Sequence, residues 1–201
     1  MSSDVVLTVT QDGDDAPRNR RQEETFRKVL RAGMEMLRET SYTDLTVRAV
    51  AARAKVAPAT AYTYFSSKNH LIAEVYLDLM RQVPYFTDVN DSRLHRVEQS
   101  LRSLALVIAD EPEFAAACTT AMLSNDAGVH PARDRIGAEI HKRIKSALGP
   151  DADPQIVSAL EMTYYGALVH AGTGAMSYRQ VADRIGYVAE LILRENVGEN
   201  R

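Results

Sequence analysis

The sequence predicts an all-α protein of about nine helices. Apolar residues recur at helical spacing over most of the chain, and no convincing run alternates with period two. Prolines and hydroxyl side chains also stand where helices would begin. At 201 residues the chain is long enough for one domain or two small ones, each with an adequate core.

The first two helices are predicted within residues 20–54. The first runs from about Arg20 to Thr40, because small and apolar side chains recur on one of its faces: Phe26, Leu30, Gly33 and Leu37. The second begins after Thr46, whose hydroxyl can accept a hydrogen bond from an otherwise unpaired backbone N–H, and it ends near Ala54.

A tight connection then leads to two further helices. Pro58 suits the first turn of a helix, because the N–H that proline lacks would have no partner there. We therefore expect a short third helix from Pro58 to about Tyr64. Ser66 or Ser67 caps a long fourth helix from Lys68 to about Val83, which Pro84 ends.

Five more helices follow in the remainder of the chain. Apolar residues step by three and four through residues 94–108 and 136–148, and Gly149-Pro150 ends the second of these stretches. A shorter helix is expected from Phe114 to Leu123, after Pro112. The last two run from about Pro154 to Gly172 and from about Tyr178 to Glu195.

Composition indicates an ordinary globular protein, with 45% hydrophobic and 25% charged residues. Residues 104–109 are the longest strictly apolar run, far short of the roughly 20 residues that span a bilayer. Residues 1–18 are polar and acidic, so we expect a disordered arm and no secretory signal. The single Cys118 fits a reducing compartment, and we expect a cytoplasmic protein without a membrane partner.

The net charge of −3 hides a basic segment. Residues 1–15 carry four acidic residues and no basic one, residues 16–70 carry eleven Lys or Arg against five Asp or Glu, and residues 71–201 carry thirteen against eighteen. The middle segment therefore has a charge of +6, as phosphate binding requires, although a solvated helix surface would show the same balance.

The most informative stretch is TVRAVAARAKVAPATAYTYFSSKNHL, residues 46–71. Two short helices at an angle, followed by a longer one, form a helix-turn-helix, whose second helix enters the major groove of DNA. That helix would expose mostly small side chains, which let it lie deep in the groove: Pro58, Ala59, Thr60, Tyr62 and Thr63. The hydroxyls of Thr60, Tyr62 and Tyr64 can donate to phosphate oxygens.

This stretch resembles the DNA-binding region of the tetracycline-repressor (TetR) family, whose pattern is roughly T-x-R-x-I-A-x-x-A-G-V-S-x-G-T-L-Y-x-Y-F-x-S-K-x-x-L. The matching positions are Thr46, Arg48, Val50, Ala51, Ala54, Val56, Thr60, Tyr62, Tyr64, Phe65, Ser67, Lys68 and Leu71. The detailed match covers about residues 25–75. Beyond it, only chain length and helical content agree.

The resemblance implies a role for each matching residue. Thr46 would contact phosphate, and Arg48 would reach phosphate or a nearby base. The residues that would face base edges are Pro58, Ala59 and Thr60. Tyr62 and Tyr64 would hold the DNA backbone, Lys68 would pair with a phosphate, and Phe65 would lock the first, third and fourth helices together.

Three positions depart from the family pattern. Lys55 and Ala57 replace the usual Gly and Ser of the turn, and Ala59 replaces the usual Gly before Thr60. The loss of a Ser cap typically costs about 1 kcal/mol. Lys55 would add a positive charge beside the DNA, at the cost of mild strain in a left-handed turn.

The resemblance also implies the architecture and the function. A three-helix helix-turn-helix DNA-binding domain, residues 19–67, would be followed by a helical-bundle domain for ligand binding and dimerisation, residues 68–201. The protein would be a transcriptional regulator that binds a palindromic operator in double-stranded DNA. Repression is the family default, with release of the DNA by a small apolar or aromatic effector that shifts the fourth helix.

The last two helices are the expected homodimer interface. On the final helix, one stripe is formed by Val181, Ile185, Val188 and Ile192, and a neighbouring stripe by Ala182, Gly186, Ala189 and Leu193. One stripe suffices to pack on the parent domain, so the second suggests a two-fold partner. A monomer with a fully buried final helix is the alternative.

The expected effector pocket lies between the middle helices. Its candidate lining residues are Phe114, Cys118, Met122, Tyr164, Tyr165 and His170. Aromatic and methionine side chains with a few polar tips suit an apolar or aromatic ligand. The same side chains at helical spacing are also typical of a plain core, and His170 of a hydrogen-bonded core or interface histidine.

Motifs for catalysis or metal binding are missing from the sequence. It has no HExxH, GxSxG, phosphate-binding glycine-rich loop or CxxC, and its five histidines lack metal-ligand spacing. We therefore expect no enzymatic activity, no cofactor and no metal. A helical enzyme that needs no cofactor and a helical module that binds only another protein are the alternatives, and the second would show no salt-dependent binding to DNA.

Overall fold

A computed structural model describes residues 20–195, and the acidic arm expected at residues 1–18 lies outside them. The described residues form nine α-helices and no strand, which confirms the all-α prediction. The helices are α1 (Arg20–Glu39), α2 (Val47–Arg53), α3 (Pro58–Tyr64), α4 (Lys68–Gln82), α5 (Arg93–Leu106), α6 (Pro112–Leu123), α7 (His130–Leu148), α8 (Pro154–Gly172) and α9 (Tyr178–Glu195). A short 3₁₀ turn, Ala127–Val129, precedes α7 and was not expected.

Side-chain caps set the beginnings of the short N-terminal helices. The Thr46 hydroxyl accepts from the Ala49 N–H at 3.1 Å, as predicted. Of the two candidate serines, Ser67 caps α4, because its hydroxyl accepts from the His70 N–H at 3.0 Å. Helix α3 begins at Pro58 without a side-chain cap, since Ala57 stands at that position.

The N-terminal helices share one aromatic core. The Phe65 ring is completely buried and stacks on Phe26 of α1, with ring centroids 5.0 Å apart. The His70 ring, in the first turn of α4, lies at a steep angle to Phe65, with ring centroids 5.9 Å apart. Phe65 therefore joins α1, α3 and α4 as predicted, so the orientation of α3 is fixed relative to α4.

Helix α4 continues from this aromatic core into the core of the helical bundle. All side chains from Leu71 to Leu77 are buried, because α1 covers one side of the helix and α6 and α7 cover the other. Its end is held by the buried Arg143 of α7, whose Nη1 donates to the carbonyls of Val83 at 2.7 Å and Pro84 at 3.1 Å. A movement of α6 or α7 therefore acts directly on α4.

Helix α9 packs along α5 and beside α8. Val181 and Ile185 of one predicted stripe and Ala182 and Ala189 of the other are all buried inside the chain. Both stripes therefore pack partly inside the chain and their other residues are half-buried, so the role of the second stripe in a dimer stays a prediction. Among the described residues, no helix is long and apolar enough to cross a membrane.

Candidate nucleic-acid interface and ligand cavity

Helix α3 has one buried face and one exposed face. Ala61 points into the core and is completely buried, as is Phe65 just after the helix. The opposite side is exposed: Pro58, Ala59, Thr60, Tyr62 and Thr63. Tyr62 is 51% exposed, which is unusual for a side chain of that size. The residues predicted to face base edges thus form a continuous surface of mostly small side chains.

The turn between α2 and α3 is closed by two backbone hydrogen bonds. The Val56 N–H donates to the Ala51 carbonyl at 2.9 Å, and the Lys55 N–H donates to the Ala52 carbonyl at 3.1 Å. This is the Schellman arrangement, which places the residue after the helix in the left-handed region. Lys55 occupies that position with φ of 57°, where the family usually has Gly. Its exposed side chain adds a cation beside α3.

The first turn of α2 lies on the same exposed surface. Thr46 is exposed although its hydroxyl caps the helix. Arg48 is also exposed, and its side chain forms no hydrogen bond or ion pair within the described part of the chain. Its guanidinium is therefore available to an external anion.

Lys68 has a structural role that the sequence did not reveal. Its ammonium donates to the carbonyls of Tyr42 at 2.9 Å and Thr43 at 3.3 Å, and it lies 4.1 Å from the centre of the Tyr42 ring. The contacts tie the start of α4 to the loop that precedes Thr46. Lys68 thus positions the first turn of α2, and its predicted contact with phosphate would use its remaining N–H.

Tyr64 is less exposed than Tyr62. It is half-buried at the end of α3, where its ring meets the edge of Phe26 with centroids 6.0 Å apart. The structure therefore gives Tyr64 a packing role against α1, and only its remaining surface faces outward.

A hydrogen-bonded junction joins the end of α3 to the helical bundle. The Ser67 hydroxyl donates to a carboxylate oxygen of Asp126 at 2.5 Å, and the other oxygen accepts from the Gly128 N–H at 2.9 Å. The hydrogen bond from Ser67 is the main reason that the pKa of Asp126 lies below its usual value. A Cβ at Gly128 would lie 2.1 Å from the Ser66 hydroxyl oxygen, so the 3₁₀ turn fits closely against this junction.

A second polar chain runs beside it from Ser66 to α7. His70 Nδ1 accepts from the Ser66 N–H at 3.3 Å, which leaves Nε2 to donate to Glu74 at 3.2 Å. Glu74 also pairs with Arg135 of α7. Burial raises the pKa of Glu74, but His70 and Arg135 outweigh burial, so the pKa lies below its usual value and the carboxylate is ionised.

A cavity of about 360 Å³ lies within the helical bundle, mainly between α6, α7 and α8. Its lining residues are Tyr76, Ile108, Cys118, Thr119, Met122, Leu123, Arg133, Ile136, Ile140, Tyr165, Leu168, Val169 and Tyr178. Leu123, Tyr165 and Val169 are exposed as well as lining, so the cavity opens to the surface beside them. The volume is within the range of small-molecule sites.

Three of the six predicted lining residues lie on the cavity wall: Cys118, Met122 and Tyr165. Phe114 does not, because it is buried in the core at the start of α6. Tyr164 does not line the cavity either, because it is completely buried behind the wall, where its hydroxyl is 3.0 Å from that of the lining residue Tyr76. His170 is exposed on α8 and is not among the residues that line the cavity.

Sequence reasoning missed the contribution of α7. Arg133, Ile136 and Ile140 line the cavity at spacings of three and four, so they share one face of the helix. The spacing of the isoleucines predicts the stripe, and Arg133 continues it three residues before Ile136. A basic residue that continues an apolar stripe was the available signal.

Close approach of α6 and α8 shapes the cavity. A Cβ at Gly172 would lie 2.1 Å from the Thr119 hydroxyl oxygen and 2.8 Å from the Thr119 Cβ.

Burial raises the pKa of Cys118 well above its usual value, so the thiol is neutral. Burial also raises the pKa of Tyr178. These polar groups can therefore orient a ligand, but they carry no charge.

Exposed apolar side chains also mark one side of α8 and α9. Met162 and Val169 of α8 are 72% and 43% exposed, and Tyr187 and Leu191 of α9 are 63% and 44% exposed. Their spacings of seven and four place each pair on one face of its helix. Large exposed apolar side chains that are grouped in this way often mark an interaction surface.

Within residues 20–195, no three His, Cys, Asp or Glu side chains are arranged to hold a metal ion.

The model of the TetR family of bacterial regulatory proteins matches residues 29–75, which include the whole segment from the core of α1 to the middle of α4. An uncharacterised HTH-type transcriptional regulator of Mycobacterium tuberculosis is 65% identical over 201 residues, which cover 96% of this chain and 94% of that protein. The transcriptional repressor KstR of Rhodococcus jostii is 26% identical over 198 residues, which cover 95% of this chain and 92% of that protein.

The fold is also that of solved relatives. A TetR transcriptional regulator from a Rhodococcus species superposes with a TM-score of 0.71 at 21% identity, over 87% of this chain and 98% of that one. Three observations agree on the family: the exposed face of α3, the helix pair that presents this face, and the similarity over nearly the full length of the chain. The chain belongs to the TetR family of DNA-binding transcriptional regulators, which are not enzymes.

Proposed function

We propose that the protein is a cytoplasmic homodimeric repressor that binds a palindromic operator and leaves it when a small molecule with an apolar or aromatic body fills the cavity. The exposed face of α3 carries this proposal. Thr60 and Tyr62 point outward while Ala61 and Phe65 hold the helix against the core, so α3 can enter a major groove without unfolding.

Contacts with the DNA backbone would come from around this helix. Arg48 of α2 and Lys55 of the turn supply exposed cations, and the Tyr62 hydroxyl can donate to a phosphate oxygen. Pro58, Ala59 and Thr60 would face the base edges. The DNA-binding domain would comprise residues 19–67, and the ligand-binding and dimerisation domain would comprise residues 68–201.

The dimer would form through the exposed apolar face of α8 and α9 that contains Met162, Val169, Tyr187 and Leu191. A two-fold partner on this face would place two copies of α3 on one side of the dimer. Palindromic recognition requires the two helices to be about 34–36 Å apart, so that they meet successive major grooves.

The segment 124–129 is the proposed route from the cavity to the DNA. It joins Leu123 of α6 to α7, and both helices line the cavity. Within the segment, Asp126 binds Ser67 at the start of α4. A ligand that displaces this segment would therefore tilt α4 and change the spacing of the two α3 helices. An allosteric coupling of about 1–3 kcal/mol would lower operator affinity roughly 5- to 150-fold.

DNA selection followed by binding measurements tests the proposal. The full chain is used to select duplexes from a random-sequence library, and affinity for the selected site is measured by fluorescence anisotropy between about 50 and 200 mM salt. We expect a palindromic site. Arg48→Ala should lower the slope of log affinity against log salt by about 2, because each protomer of the dimer loses one phosphate contact.

Two matched variants serve as controls. Tyr62→Phe should weaken binding about 25-fold at every sequence, since each protomer of the dimer loses one hydrogen bond, whereas Tyr85→Phe, which changes an exposed tyrosine after α4, should not. Arg93→Ala, at the exposed start of α5, should leave the salt slope unchanged. Failure to select any sequence, or equal effects of Tyr62→Phe and Tyr85→Phe, would refute the DNA contacts proposed.

A further inference from the structure

One cation on the cavity wall lacks a counterion among the residues that the structure describes. Arg133 lies three residues before Ile136 on the lining face of α7. On the same helix, Arg135 pairs with Glu74 and the buried Arg143 pairs with Glu139. Arg133 forms no such pair within the part of the chain that the structure describes. Its charge is therefore unbalanced beside a largely apolar space.

The hydrogen bonds of Arg133 are also incomplete. Nη2 donates to the carbonyls of Ser124 and Ala121 at the end of α6. Nε is buried and has no acceptor, and Nη1 donates to no atom of the described residues. A buried donor without a partner costs about 1–3 kcal/mol, and a charged one costs more. Such a guanidinium is suited to an acceptor that arrives with a ligand.

A wholly apolar ligand would increase the cost of the uncompensated charge on Arg133. It would replace the water near Arg133 with hydrocarbon and leave the charge without compensation, which is strongly unfavourable. The other polar groups on the wall, among them Thr119, Tyr165 and Tyr178, are neutral and cannot balance a cation. An anionic group on the ligand removes the penalty and adds a charge-assisted hydrogen bond.

We propose that the effector is an amphiphilic acid, with an apolar body that fills the cavity and a carboxylate that pairs with Arg133. At about 30 Å³ per group, the volume of one water in the liquid, a cavity of about 360 Å³ holds a body of about twelve non-hydrogen atoms. The inference rests on the proposed function, because it concerns the cavity that would control DNA binding.

The position of Arg133 also explains how such a ligand would act. The ligand carboxylate competes with the Ser124 and Ala121 carbonyls for the guanidinium. Ser124 caps α6 and is two residues before Asp126, which holds Ser67 at the start of α4. Pairing with the ligand therefore loosens the end of α6 where the bundle meets the DNA-binding helices.

Two pairs of compounds of nearly equal size test the inference: decanoate with 1-decanol, and 4-butylbenzoate with 4-butylbenzyl alcohol. Binding to the full-length protein is measured by isothermal titration calorimetry at about pH 7.5, where the carboxyl groups are ionised. We expect at least one acid to bind about tenfold more tightly than its alcohol, since the alcohol leaves the charge of Arg133 unpaired.

Substitutions identify the residue that causes the preference for the acid over its alcohol. Arg133→Met should remove the preference for the acid while the alcohol still binds, and Arg133→Lys should keep part of it. Lys145→Met removes a cation from an exposed site on the same helix and should keep all of it. Circular dichroism and the binding of the alcohol show that each variant is folded, so loss of the preference cannot be mistaken for unfolding.

The outcomes separate this inference from the proposed function. If neither acid is preferred by the wild type, or if Arg133→Met keeps the preference, the assignment of the ligand class is wrong, and binding to the selected DNA site is unaffected by that result. If the protein selects no DNA site, the proposed function fails even when the acids bind. If an acid binds without lowering DNA affinity, the assigned route through Ser124 is wrong.

Discussion

Ser67 forms two hydrogen bonds that join different parts of the protein. Its hydroxyl oxygen accepts from the His70 N–H at 3.0 Å and so caps α4, and the same hydroxyl donates to Asp126 at 2.5 Å. One side chain therefore fixes both the start of α4 and the segment that follows α6. The position of α3, which ends three residues earlier, depends on this contact.

The contact should make stability depend on pH. Because Ser67 lowers the pKa of Asp126, the ionised carboxylate stabilises the folded state above its ordinary pKa of 3.8, and this contribution is lost as the pH falls through the lower folded value. The substitution Asp126→Asn removes this contribution to stability. The difference in free energy of unfolding between wild type and Asp126→Asn should therefore shrink between about pH 6 and pH 3.

Urea unfolding at several pH values measures this difference. Asp134→Asn changes an exposed acid at the start of α7 and serves as the control, whose difference from the wild type should vary less with pH. An Asp126→Asn difference that stays constant over the range would show that the carboxylate and Ser67 do not interact in solution.

The contact between Gly172 and Thr119 should tolerate no added methyl group. Gly172→Ala places a Cβ within 3 Å of three Thr119 atoms, so α8 must move away from α6. We expect a loss of about 1–3 kcal/mol in free energy of unfolding. Gly186→Ala in α9 is the matched control, because its Cβ would meet Glu98 at an ordinary 3.6 Å and alanine favours a helix by up to about 1 kcal/mol. Equal stability of the two variants would contradict the packing described.

The bonds of Lys68 predict an effect on stability as well as on DNA binding. Lys68→Met removes the donor to the Tyr42 and Thr43 carbonyls and should lower the free energy of unfolding by about 1–2 kcal/mol. Lys145→Met, which changes an exposed lysine, should alter it by less than about 0.5 kcal/mol. If Lys68→Met weakens DNA binding and leaves stability intact, Lys68 serves phosphate alone.

The proposed dimer face can be tested with a single charge. Leu191→Glu places a carboxylate among exposed apolar side chains of α8 and α9, and its desolvation should weaken the dimer at least about tenfold. Sedimentation velocity at micromolar concentration would then show monomer. Val89→Glu, at a loop residue that is 89% exposed, is the control and should sediment as the wild type does. A dimer that survives Leu191→Glu would place the interface elsewhere.

The local elements could be predicted from the sequence because each depends on neighbouring residues. Pro58 and Thr46 marked helix starts within one position, and the helices of the bundle followed from apolar spacing. The spatial relations could not be predicted in the same way. Nothing close to His170 in the sequence indicates that it does not line the cavity, and the pairing of Ser67 with Asp126 spans 59 residues.

The basic residues show the same limit. Arg48 and Lys68 both match the family pattern, but only the fold shows that Arg48 is unpaired within the described residues whereas the Lys68 ammonium already binds two carbonyls. Arg133 does not stand out in the sequence, because one arginine beside isoleucines is ordinary in a helix. The role proposed for Arg133 depends on its lack of a carboxylate partner among the described residues. The spacing of residues in the sequence does not show which side chains lie close to it.

Cys118 gives the cavity a chemical reporter of its own. The sole thiol of the chain lies on the cavity wall, where burial raises its pKa and should make its alkylation slow. An alkylating reagent reaches this thiol through the cavity, so a bound compound should slow the reaction further. Occupancy can thus be followed by mass spectrometry on the native sequence, without an introduced label.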